Sequence, residues 1–369
     1  MIYAFDVSNP AAPILKWKKT GDDLPALGQT WSSPTPFRIG SGDPFLMFGA
    51  GYDPGEDASP LVNNSVGRGI YVLNANTGAT VGTTGGAFSA AGFINQVLIP
   101  NSTSTTPVTA PIASDMAFLA RVVASGFGDV YRAYVGDLDG NVYRLDMPSS
   151  DTTTWKLFKF ATLGTGLKFL YAPDLVKGGD RDYVLIGSGD REKPLITTNQ
   201  DAFFGLLDYQ NDPNAVPTTI TPLTLTDLTS LAGDGAMVTG PGWYRLLALG
   251  EKVVNSPLTV AGTTFFATNK PLPTSDTSCE TNLGEARAYG VLFYSGGRPA
   301  SRDSISSVLT GGGLAPSPKA GIVELEPGGE KVPFVIGSGK DGSRLEPERP
   351  PLNVPTTRTK VYWNVKTDG

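Results

Sequence analysis

Histidine is absent from this 369-residue chain. Its absence excludes Ser-His and Cys-His nucleophilic pairs, histidine-ligated zinc and the usual near-neutral proton shuttle, leaving carboxylates, Lys and Tyr for any acid-base chemistry. The only cysteine is Cys279. An intrachain disulfide and a thiolate metal cluster are therefore excluded, and no imidazole is at hand to activate the thiol. Basic charge is scarce as well, with 29 Lys and Arg against 35 Asp and Glu, a net charge of -6 and a pI near 4.9. This argues against nucleic acid as a partner, which needs a basic face to displace phosphate counterions. No apolar run approaches the roughly 20 residues of a membrane span. The start, Met1-Ile2-Tyr3-Ala4-Phe5-Asp6, lacks the charged segment and apolar core of a signal peptide. It reads as the inside of a strand, so the expectation is a piece of a longer polypeptide, with any export signal lost upstream.

What the chain has in excess is Gly, 45 residues, and Pro, 30 residues, together about a fifth of the sequence against a usual share of roughly 12%. With hydrophobic content still 40%, this composition predicts many short strands and many turns rather than disorder. The clearest stretch is Ala133 to Asp146, where Ala133-Tyr134-Val135 and Val142-Tyr143-Arg144-Leu145 flank a cluster carrying Asp139-Gly140. Asp-Gly between alternating apolar runs predicts a hairpin, because tight hairpin turns need positive φ at their centre.

Three marks recur. The first, apolar-Tyr-x-apolar-Asp/Asn, stands at Ile2 to Asp6, Ile70 to Asn74 and Val142 to Asp146, with looser copies at Phe203 to Asp208 and Tyr289 to Tyr294. The second is an apolar strand closing on Gly-x-Gly, at Phe45 to Gly51, Tyr183 to Gly189 and Phe334 to Gly339, with a Gly136-Asp137 variant and a degenerate copy at Phe265 to Asn269. The third is a small residue before proline: Ser33-Pro34, Ala110-Pro111, Ala172-Pro173, Ser256-Pro257 and Ala315-Pro316, in steps of about 70 residues. Each unit holds three or four strands and no helix signal. Such self-similarity predicts an all-β fold, a β-propeller of about six to seven four-stranded blades, because one blade cannot bury both faces alone. Residues 1 to 369 read as a single propeller domain whose first blade is incomplete at its N-terminus. Long polar loops, 100–109, 212–231 and 346–359, would decorate it.

In order, Ile2 to Pro10 with Trp17, Trp31-Ser32-Ser33-Pro34, Phe48 to Tyr52, Tyr71 to Gly78, Tyr134 to Val142, Gly187 to Pro194 and Val361-Tyr362-Trp363 resemble the C-terminal β-propeller domain of the PilY/PilC family of type IV pilus tip proteins. The resemblance implies a non-enzymatic role in pilus (fimbrium) biogenesis, control of retraction, adhesion and twitching motility. It implies minor pilins or the pilus tip, and a host or abiotic surface, as partners, a cell-surface location reached through the periplasm, and a variable N-terminal region absent from this chain. Family propellers often carry a calcium loop of the form Asp-x-Asp-x-Asp-x-x-x-Asp before this strand. Its positions fall here on Val123, Ser125, Phe127 and Tyr131, none of them a carboxylate, so no cofactor is expected and calcium is not expected to bind there.

Other constellations have plainer readings. Asp137-x-Asp139-x-Asn141 begins like an EF-hand loop, but Val142 occupies the sixth position and Pro148 the twelfth, so a hairpin turn is the reading and a metal site the weak alternative. Asp53, Glu56 and Asp57, and Asp180 with Asp182, read as solvated acidic turns, with a metal site as the lesser alternative. Gly187-Ser188-Gly189-Asp190-Arg191 lacks a phosphate loop's Lys-Ser/Thr and predicts a strand end with an Asp-Arg pair ordering the next loop, where Asp190, Arg191 and Glu192 offer a turn for surface contact. Trp17, Trp31, Trp155, Trp243 and Trp363, about one per unit, read as inter-blade packing residues, with a sugar-binding aromatic platform as the alternative. Leu73 to Gly78 is similar to the docking motif of quinoprotein propellers but lacks its Trp and Lys. A quinoprotein-like (PQQ-type) enzyme or an outer-membrane assembly-factor propeller is therefore the secondary reading.

Overall fold

The computed structural model describes residues 1–58, 66–122, 128–235, 237–272, 282–325 and 330–351. Cys279, Val123, Ser125, Phe127 and Val361-Tyr362-Trp363 lie outside the described residues. Within them the chain is all-β, its only helical elements being four short 3₁₀ turns. The strands form six sheets. Sheet I pairs Ile2–Asp6 with Ile14–Lys19. Sheet II runs Thr35–Phe37, Phe45–Gly49, Ile70–Asn74, Phe93–Ile94, Phe88–Ala90. Sheet III is built on the meander Ala117–Val122, Gly128–Gly136, Asn141–Asp146, Lys156–Thr162. Sheet IV contains Asp174–Lys177, Asp182–Gly187, Ala202–Asp208, Gly242–Leu246. Sheet V pairs Leu258–Val260 and Lys252–Val253 with Thr263–Lys270, followed by Glu285–Leu292 and Ser306–Val308. Sheet VI pairs Lys319–Glu324 with Lys331–Ile336.

Each proline mark stands ahead of a strand on the edge of its sheet. Pro34, Pro111, Pro173, Pro257 and Pro316 introduce the edge strands of sheets II to VI, where a missing N–H costs least. The expected hairpin is formed by Gly128–Gly136 and Asn141–Asp146 in the register Gly136↔Val142 to Arg132↔Asp146, with Gly140 at φ 74° in the turn.

The sheets also hold strands where only loops were expected. Thr105–Pro107 extends sheet III through Gln96–Leu98, Leu223–Thr224 joins Lys156–Thr162 in parallel, and Thr229–Ser230 adds to sheet IV. With these strands sheet III has seven strands and sheet IV five, while sheets II and V carry five each without such additions, rather than the four expected. The Thr-rich stretches supply β-branched residues that cover otherwise unpaired outer edges.

Successive sheets pack face to face in chain order. Ile2 of sheet I meets Leu46 and Phe48 of sheet II. Trp155 of sheet III sits among Phe37, Phe45 and Phe88 of sheet II. Tyr134 and Phe160 pack with Val184 and Phe204 of sheet IV, and Trp243 and Phe203 of sheet IV with Phe266 of sheet V, where the two Phe rings lie 3.8 Å apart and 3° from parallel. Trp17, half-buried, lies on the Asn74–Gly78 turn and donates from Nε1 to the Ala75 carbonyl at 3.1 Å. An indole from the preceding sheet thus takes the place of the Trp missing from that turn. Trp31 is the exception. It is 46% exposed and packs between no sheets.

The indole of Trp243 lies flat over Gly205 on the neighbouring strand, where a Cβ would come within 2.3 Å of the ring. Gly205→Ala alone should therefore destabilise by about 1–3 kcal/mol through overpacking. Trp243→Ala alone should cost about 3–5 kcal/mol, and in that background the extra methyl should cost little. Urea unfolding of the four proteins should give a coupling on the order of 1 kcal/mol or more. Strictly additive costs would contradict the packing.

Candidate functional site

At one end of the sheets the entry loops of sheets II to V converge. Gly189 lies so close to Val253 of sheet V that a Cβ would come 2.5 Å from its carbonyl oxygen, and this brings the loop after Asp182–Gly187 against the start of sheet V. The result is a half-open cavity of about 450 Å³ lined by Trp31, Asp115, Tyr171, Arg191, Glu192 and Ser256, among others. These side chains come from segments far apart in sequence.

The cavity rests on a rigid base. Trp31 stacks on the buried Tyr52 ring at 4.4 Å with the planes 3° apart. The Tyr52 hydroxyl is shared between Asp57 Oδ1 at 2.7 Å and Glu192 Oε1 at 3.2 Å. Burial first, then these carboxylates, push that phenol far above its ordinary value. Beneath lies Lys168, whose ammonium bonds Glu192 Oε1 and stands 3.6 Å from Asp190 Oδ2, all three side chains being at least nine-tenths buried. Burial raises the Glu192 carboxyl above its ordinary 4.5, and the Asp190 carboxyl adds to the rise while Lys168 opposes it. Burial alone would pull the Lys168 ammonium down, but the carboxylates outweigh it and hold it above its usual range. Lys193 closes the base by donating from Nζ to the Glu56 carbonyl at 2.9 Å.

The turn singled out for surface contact divides accordingly. Asp190 is buried and the Glu192 side chain nearly so, while Arg191 alone is exposed. The expected Asp190-Arg191 pair does not form. Asp190 faces Lys168 and accepts the Lys193 N–H at 3.0 Å, whereas Arg191 points the other way and donates to the Tyr171 hydroxyl at 2.9 Å. Successive loop residues diverge, so adjacent opposite charges need not meet. The acidic turns are solvated only in part: Asp57 and Asp180 are exposed, whereas Asp53 and Asp182 are buried. Asp53 is buried, caps the turn Pro54–Asp57 through Gly55 N–H and pairs with Arg68 at 2.9 Å.

The remaining positions have structural duties. Asp137, buried, accepts from Asp139 N–H, Asn141 N–H, Asn141 Nδ2 and the Tyr143 hydroxyl, at 2.7–3.0 Å, so its lone pairs organise the hairpin turn. Asp139 accepts the Gly166 N–H at 3.1 Å. Among the described residues no three His, Cys, Asp or Glu are grouped to hold a metal ion. Tyr131 is buried at the opposite end of sheet III, with Arg121, Arg132 and Lys177 each 5.5 Å from its ring centre.

Beside it lies a cluster that was not legible as a site. Arg132 and Arg144, both fully buried, clamp Asp146 at 2.7 and 2.9 Å, and Arg144 reaches Asp208 of sheet IV at 2.6 Å. Tyr134 donates to the same Asp208, and Asp182 stands 3.5 Å from Arg132. The only sequence signal was an arginine in each of two otherwise apolar strands. A second groove, of about 970 Å³, runs along the outer edges of sheets II and III and is lined by Thr84, Ser89, Thr103, Thr154 and Thr219, among others.

No protein-family model and no curated protein matches the chain. Among solved structures, the crystal structure of the Pseudomonas aeruginosa PilY1 C-terminal domain superposes with a TM-score of 0.63 at 17% identity, covering 94% of this chain and 78% of that one. The chain thus shares a β-propeller-like fold with that domain, as the resemblance implied. An α-L-arabinofuranosidase from Fusarium graminearum, at 9% identity, and an α-L-arabinanase from Penicillium chrysogenum, at 11%, reach TM-scores of only 0.37 and 0.36. Each covers 85% of this chain, and 79% of its own is matched. At that distance they do not bear on function.

Because folded Glu192 keeps its proton to higher pH than the unfolded chain, the folded state binds more protons just above pH 4.5. This group's contribution to stability therefore falls as pH rises through that window and is level beyond it. Melting curves across mildly acidic pH should show that fall diminished in Glu192→Gln. An unchanged slope would contradict the desolvated carboxyl.

Proposed function

We propose that this chain is a non-enzymatic binding propeller that serves type IV pili, working at the cell surface or pilus tip in biogenesis, control of retraction, adhesion and twitching motility. The observation that carries the reading is the PilY1 C-terminal domain's agreement with this fold over 94% of the chain, together with the ordered motifs from Ile2 to Pro194. The chemistry of the described residues supports binding over catalysis. The buried carboxylates and cations at the loop end are engaged with one another, as Lys168 with Glu192 and Arg68 with Asp53 are, rather than poised on an open nucleophile. We further propose that the chain acts as one domain of a larger protein exported through the periplasm, with minor pilins and a host or abiotic surface as its partners.

Deleting the gene in its native host should abolish twitching and deplete surface pili, and the full-length gene, but not one lacking this domain, should restore both. Normal twitching and piliation in the deletion strain would refute the pilus role.

A further inference from the structure

Trp31 is the one exposed tryptophan among the described residues. An exposed indole loses its hydrophobic contribution to folding, yet this one is not loose, being held flat by a buried Tyr52 whose hydroxyl is anchored to Asp57 and Glu192. A rigid aromatic face bordering a cavity is the arrangement of a binding platform. Around it stand the carboxylate of Asp115, the exposed guanidinium of Arg191 and the hydroxyls of Tyr171 and Ser256, above the buried Glu192.

The mixture of signs decides the ligand class. A cation would meet Arg191, and an anion would meet Asp115, so neither has an unopposed field. A sugar hydroxyl both donates and accepts, and a ring of vicinal hydroxyls can satisfy carboxylate, guanidinium and hydroxyl groups together. The C–H face of a sugar ring is apolar and flat enough to lie on an indole. The volume of about 450 Å³ falls within the range of small-molecule sites, roughly 300–1,000 Å³, and suits a mono- or disaccharide. The larger outer groove offers no such platform, because its rings, Phe88 and Trp155, are fully buried in its floor.

We propose that this cavity is a saccharide-binding site that takes a neutral mono- or disaccharide, with one sugar ring stacked on Trp31 and its hydroxyls held by Asp115 and Arg191. The proposal rests on reading the domain as a binding module and is independent of its attachment to pili. A surface adhesin would use the site to hold glycans.

The test is saturation-transfer NMR and fluorescence titration of the intact chain with glucose, galactose, mannose, arabinose, maltose and lactose, beside sialic acid and trimethyllysine as charged probes. At least one neutral sugar should bind, with affinity on the order of millimolar. Trp31→Ala should abolish binding with little change in melting temperature, Trp31→Phe should retain it in part, and Arg191→Ala should weaken it by roughly tenfold. No binding of any neutral sugar would overturn the proposal. So would binding that survives Trp31→Ala, or preference for either charged probe. These outcomes are separate from the motility result, so either reading can fail alone.

Discussion

A β-sheet has two faces, and in this chain the inner sheets bury both of them against the sheets before and after them in sequence. Every other feature follows from that constraint. Glycine appears where a neighbouring backbone or ring comes nearest, as at Gly189 against Val253 and Gly205 under Trp243. The large aromatics, Trp155, Trp243 and the stacked Phe203 and Phe266, fill the space between sheets. At the end of sheets III and IV far from the loop cavity, the apolar seam gives way to the Arg132, Arg144, Asp146 and Asp208 cluster. Buried ions of this kind add little net stability but are costly to break singly.

The cavity at the other end is a by-product of the same packing. Because edge strands of successive sheets start from Ser-Pro or Ala-Pro at the same level, their entry loops are brought together, and residues as distant in sequence as Trp31, Tyr171 and Ser256 become neighbours. The Lys168, Asp190 and Glu192 base holds these loops in place and leaves Trp31 and Arg191 facing outward.

The elements were legible in the sequence because their signals are local. Asp139-Gly140 specified a hairpin turn through the φ it requires, and the proline marks specified the starts of strands, which the structure places at sheet edges. The site was not legible, because it depends on which distant loops meet. Nothing local separates Trp31 from Trp155, yet one lines a cavity and the other a core. Asp190 beside Arg191 looked like an ion pair, and its true partner, Lys168, lies more than twenty residues earlier. The Thr-rich stretches looked like loops because two- and three-residue strands are determined by the sheet edge they cover rather than by their own pattern.

The central claim is that six sheets in sequence order stabilise one another as a unit. Scanning calorimetry of the intact chain tests it directly, because a mutually packed array has no stable part smaller than the whole. The account predicts a single transition whose calorimetric and van't Hoff enthalpies agree. Two or more resolved transitions, or a calorimetric enthalpy well above the van't Hoff value, would contradict it.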